Sequence, residues 1–337
     1  MSNTLAFVHV GLPKCASTYL QHVWSVDPLY DSLNLNELMN QARKQTTAGT
    51  QIPINPIQLP PSQNILMGSS EGFSWSYCNQ PQHQAKLWDL HKNSASLIAQ
   101  AQLTDTILLL VRNPFAYMRS LHEQSIKEGA YASFAEFFRQ QRALIEATLD
   151  IQAIIEAYQV HFAKVVILNV DELRQTPDSF WQKYQQQLQL AIPEQGINQI
   201  NEKQQAANSS LGNKLPLLAA LNAHSAQLLA AFDQLDEYKA TRKQEFETLR
   251  SPYANTYRWF HRRLAEYSDQ QAFARLGEQL GLSQLNKDAF QKVEVDKAML
   301  DFVETRFITP LQHFEQSIEA EWLQDIKSQL EQYTTIS

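Results

Sequence analysis

The sequence predicts an α/β fold: a three-layer parallel sheet with helices on both faces, followed by a helical C-terminal extension. Three observations predict it. Short, unbroken runs of branched apolar residues recur along the first half of the chain, as strands buried on both faces require. Segments of helical periodicity separate these runs, which is the βαβ pattern. From about residue 212 onward the apolar spacing is helical throughout.

The runs at 5–10, 64–68, 106–112 and 165–170 are the predicted strands. Helices are predicted near 17–25, 33–45, 84–101, 115–127, 133–161 and 177–190. The stretch 47–63 holds four of the 13 prolines and reads as a surface loop. Within YRWFHRRLAEY, at 257–267, Trp259 and Leu264 are expected to pack inward with the arginines in water. The chain divides into a core, 1–212, and a helical part, 213–337, expected to pack on that core as one domain. The long helical run 296–333 either packs on the sheet or forms a homodimer surface.

Composition narrows the function. With 337 residues, 44% of them hydrophobic, the chain can bury a large core. A net charge of −7 disfavours general nucleic-acid binding, which needs a basic face. The two cysteines, Cys15 and Cys78, suit a reduced cytoplasm, and no Cys/His spacing suggests zinc. The N-terminus lacks the basic start and apolar length of a signal peptide, and no stretch approaches a membrane span. The expectation is a cytoplasmic protein without a metal.

Chemistry concentrates at two strand ends. After the first strand the chain reads Gly11-Leu12-Pro13-Lys14-Cys15-Ala16-Ser17-Thr18 and then turns helical. Gly11 allows a tight turn, and Pro13 fixes φ in the loop. A helix start presents free N–H groups and the positive end of its dipole. Lys14, Ser17 and Thr18 add a charge and two hydroxyl donors, making a phosphate-sized cradle. The lysine stands three residues earlier than in GxxxxGK[ST], and no second glycine is present, so an ordinary ATP or GTP loop is disfavoured. A capped turn with a solvent-facing lysine is the plainer alternative.

The second cluster follows the third predicted strand. Arg112 stands at its carboxyl end, where open parallel sheets bind ligands. Asn113 and Pro114 are a good N-cap and first helical residue. Ser120 follows eight residues after Arg112, with Arg119 beside it, so a second phosphate could be clasped here. The plainer reading is an arginine paired with a carboxylate at the sheet edge.

On these residues the chain resembles sulfotransferases that use 3′-phosphoadenosine 5′-phosphosulfate (PAPS). PKCAST at 13–18 is similar to that family's PKSGTT or PKCGTT loop, and Arg112-Asn113-Pro114 with Ser120 to its Arg…Ser pair. DEL at 171–173 and NSSLG at 208–212 are weaker likenesses, so the resemblance spans about 5–212. It implies a P-loop-NTPase-like fold, with Lys14, Ser17 and Thr18 on the 5′-phosphosulfate and Arg112 and Ser120 on the 3′-phosphate. Gly11, Pro13, Cys15 and Ala16 shape the loop. The product would be adenosine 3′,5′-bisphosphate (PAP). Ala16 departs from the family glycine, and its methyl is expected to narrow the approach of a phosphate.

Transfer to a hydroxyl needs a base. Glu71 falls just past the second predicted strand, in SSEGFSWSY, and is the chosen candidate, its pKa expected to be raised by burial. His9, His22 and His122 are the alternatives. Cys15, beside a lysine, reads as structural rather than nucleophilic. Sulfotransferases of the carbohydrate type use a glutamate in a similar place, so the resemblance implies a carbohydrate or other complex metabolite as acceptor. The rival functions are an ATP-dependent kinase of the same broad fold and a non-catalytic PAP-binding protein.

Overall fold

The computed structural model describes residues 4–49, 53–54, 56–74, 86–204, 211–282 and 288–334. Five parallel strands form one sheet: β1 (Val8–Val10), β2 (Tyr30–Leu33), β3 (Ile65–Ser70), β4 (Thr106–Val111) and β5 (Lys164–Asn169). Their order is β2-β3-β1-β4-β5. The chain therefore steps from β1 to one side for β2 and β3, then to the other for β4 and β5. Ligands bind open sheets at such a reversal, beyond the carboxyl ends of the strands.

β4 and β5 are the legible strands. From Ile107 to Val111 and from Val166 to Asn169 every residue is buried, so no polar alternation marks either run. β1 is shorter than its apolar run. Leu5 and Ala6 donate to Leu103 O and Leu66 O just before the strand begins. β2 is a strand the sequence pattern does not predict. It is an edge strand reading YDSL, with only Tyr30 buried, so it lacks the apolar run used as the signal.

Helices α1 (Ser17–Val26), α2 (Asn36–Ala48), α3 (Leu87–Gln100) and α4 (Pro114–Lys127) follow the first four strands. The single helix expected at 133–161 is two, α5 (Phe134–Leu149) and α6 (Ile151–Gln159). Asp150 breaks it by capping the second, accepting from Ala153 N at 3.1 Å. Among the described residues no strand follows 212.

The contacts divide the chain differently from a linear split at 212. One compact unit is 1–117, 141–207 and 295–337; the other is 118–140 and 208–294. The first holds the sheet. Its core includes Phe7, whose ring lies 5.4 Å from Trp24 and 6.2 Å from Tyr184. The run 296–333 contributes to this unit, stacking Tyr333 on Phe115 with centroids 4.8 Å apart.

The second unit is helical and builds its own apolar cluster from Ile126, Leu215, Leu218, Leu221, Ala265 and Phe273. Its helix over Gly212–Asp233 is long and apolar enough to cross a membrane, with a mean hydropathy of 1.3. This corrects the expectation that no stretch reaches that length. Leu215, Leu217, Leu218 and Leu221 of this helix join the cluster, while Leu228 is exposed. Trp259 also departs from expectation. It is 60% exposed, with the Arg263 guanidinium 5.8 Å from its ring centre, while Tyr257 and Ala265 take the inward face.

Candidate functional site

The ends of β1 and β3 set the site. Val10 pairs with Ser70, so the residues that follow, Gly11 and Glu71, leave the sheet side by side. A Cβ at Gly11 would stand 2.5 Å from Ser17 Oγ, 3.0 Å from Glu71 Cγ and 3.2 Å from His9 Cε1. Glycine is therefore required by close approach, and three polar side chains converge on it. The Ser74 hydroxyl donates to the Gly11 carbonyl and holds the turn.

The loop continues through Lys14 at φ 61° and Ala16 at φ 57°. A left-handed residue with a Cβ costs about 1–2 kcal/mol. That cost explains why a glycine suits the position of Ala16 in the resembling loops. Between them Cys15 N donates to Leu12 O at 3.3 Å. α1 then starts at Ser17 with no side chain capping it and no acidic residue in its first turn. A helix start of that kind leaves its N–H groups and dipole available to an anion. Pro13 and Ser17 are buried, Lys14 and Ala16 half-buried, and Thr18 exposed.

Glu71 opens a one-turn 3-10 helix, Glu71–Phe73, seated by Ser70 Oγ accepting from Gly72 N at 3.2 Å. Burial raises its carboxyl above the ordinary value. The Ser17 hydroxyl bonded to it and the Lys14 charge pull the other way without cancelling the rise. Beyond Ser74 the motif SSEGFSWSY lies outside the described residues, as do Asn208, Ser209 and Ser210 of NSSLG.

Arg112 leaves β4 toward the same loop. Its Nη1 donates to the Lys14 carbonyl at 3.2 Å, tying the turn after β4 to the turn after β1. Its Nε lies 3.6 Å from Asp171 Oδ1, so the plainer reading of Arg112, a carboxylate partner, is realised here. Asp171 Oδ2 also accepts from Asn113 N at 2.7 Å and Trp322 Nε1 at 3.2 Å. Asn113 caps α4 as expected, its Oδ1 accepting from Phe115 N at 3.0 Å and Ala116 N at 3.1 Å. Ser120 is half-buried on α4, in the portion belonging to the second unit, and Arg119 is exposed.

Asp171 is the site residue that sequence reasoning missed. The available signal was its place two residues past β5, the strand neighbouring β4.

The remaining candidates separate cleanly. The Cys15 thiol is pushed up to about 12 by burial; Asp171 and Glu71 push the same way, and Arg112 opposes them. It stays protonated at neutral pH and is no nucleophile. His9 is buried in β1, its pKa lowered to about 3 by burial, with Nδ1 2.7 Å from Ser69 Oγ. His122 is enclosed by Phe134, Phe137 and Phe290, with Nε2 2.9 Å from Ala132 O. Burial lowers its pKa too, and this aromatic box makes it a core histidine of the second unit. His22 is exposed on α1.

No protein-family model matches the chain, and no curated protein matches it.

Proposed function

We propose that this protein is a PAPS-dependent sulfotransferase with a P-loop-like core, moving a sulfuryl group to an acceptor hydroxyl. One observation carries the reading: the Arg112 guanidinium rests on the carbonyl of Lys14. The turns after β1 and β4 thereby meet at one rim of the sheet, and the Lys14 charge bears on Glu71 at the end of β3.

The loop suits an anionic donor on its own geometry, since nothing from a side chain caps the start of α1. Lys14, Ser17, Thr18 and the first turn of α1 hold the 5′-phosphosulfate. Gly11, Pro13, Cys15 and Ala16 give the loop its path. Arg112 reaches the 3′-phosphate, with Asp171 fixing its side chain. PAPS supplies an activated sulfuryl group. Glu71 accepts the proton of the attacking hydroxyl, and Lys14 offsets the charge that grows on the phosphate oxygen as its bond to sulfur breaks.

Thermal unfolding with added nucleotide tests the reading. A ligand at about 100 times its Kd adds about 2.7 kcal/mol of stability, enough to raise the Tm by a few degrees. PAP is expected to give the larger rise. A larger rise with ATP–Mg²⁺ would contradict the reading and favour a kinase. PAP binding without labelled product from any acceptor pool would favour a binding protein instead.

A further inference from the structure

We infer that the cleft beside α1 binds the acceptor, and that the acceptor is an uncharged saccharide; this rests on the transfer reading above. The cleft has a volume of about 450 Å³, within the range of small-molecule sites. It lies wholly in the sheet unit. Its polar lining comes from Gln21, His22 and Ser25 on α1, Ser32 on β2, Asn36 on α2 and Ser69 and Ser70 on β3. Amides and hydroxyls both donate and accept, as a ring of sugar hydroxyls requires. Trp24 and Met67, each 1% exposed, back the same lining.

Charge decides against an anionic acceptor. Among the described residues no lysine or arginine lines the cleft, its one histidine is His22 and its one carboxylate is Glu71. A phosphate, sulfate or carboxylate on the acceptor would meet that like charge with no lysine or arginine in the lining to offset it. Glu71 is also the group shared with the anion loop, because its carboxyl bonds the Ser17 hydroxyl. A carboxylate between an acceptor cleft and a donor loop stands where a base must stand.

Ser69 is held ready at the cleft wall. Its Oγ lies 2.7 Å from His9 Nδ1 and accepts from Gln21 Nε2 at 3.0 Å. Hydrogen bonds to neighbours that are themselves fixed preorganise such a group for a ligand.

The test uses the full chain saturated with PAP, with binding read by saturation-transfer NMR. The probes are neutral disaccharides (cellobiose, lactose and N,N′-diacetylchitobiose), a hyaluronan disaccharide carrying a carboxylate, and 4-nitrophenol. At least one neutral disaccharide is expected to bind, with the hyaluronan disaccharide weaker by about tenfold or more. Asn36→Ala should weaken the neutral sugar several-fold, and Gln21→Lys should narrow or reverse the preference, both with PAP affinity unchanged. The inference is overturned if PAP binds and no neutral disaccharide does. It is equally overturned if the anionic probe or the phenol binds as well as the sugars, or if neither variant changes binding. Failure of PAP itself to bind would be read separately, and would remove the donor assignment first.

Discussion

Lys14→Ala should abolish transfer of labelled sulfuryl from PAPS while leaving the fold intact. Alanine keeps a Cβ at φ 61°, so the loop carries the same backbone strain before and after the change. What is lost is charge. Removing one group that stabilises developing charge costs about 10²–10³ in kcat. A second effect follows: Lys14 holds the Glu71 pKa down, so its removal moves that pKa further up. Single-turnover rates with matched melting curves check this. A variant within about threefold of the parent rate would contradict the electrostatic role assigned to Lys14.

Glu71→Gln should lower kcat by about 10²–10⁴, the usual contribution of a positioned base. The pH profile makes the prediction specific. A base works ionised, so the parent rate should climb with pH through the Glu71 pKa, along an acid limb displaced above the ordinary carboxylate value of 4.5. The glutamine variant should lose that limb. Stability moves the other way. A carboxyl whose pKa rises on folding binds its proton more tightly folded than unfolded. Its effect therefore becomes destabilising as pH rises from the ordinary value through the raised one. At neutral pH the glutamine variant should melt higher than the parent while turning over far more slowly. A glutamine variant that kept the acid limb, or melted lower, would count against Glu71 as a buried base.

The parts of this molecule legible in its sequence are those encoded locally. Leu108–Val111 reads as a strand because each residue is buried and apolar. Gly11 to Ser17 reads as a turn into a helix because the apolar period changes there. β2 was hidden because an edge strand covered on one side needs only Tyr30 inside. The partnership of Arg112 with Asp171 was hidden for a different reason. It joins residues 59 positions apart through the adjacency of β4 and β5, and adjacency belongs to the sheet rather than to either segment. The same holds for the cleft, whose walls come from α1, β2, α2 and β3. Trp259 shows the limit of composition alone: an aromatic in a helix need not face inward, and here the inward face belongs to Tyr257 and Ala265.

The donor assignment requires Lys14 and Arg112 to build adjoining anion pockets at one rim of the sheet. A crystal structure with PAP bound tests it most directly. The 5′-phosphate is expected at the start of α1 against Lys14 and the 3′-phosphate on the guanidinium of Arg112. PAP seated away from that rim, or bound there with Arg112 engaged only with Asp171, would contradict it.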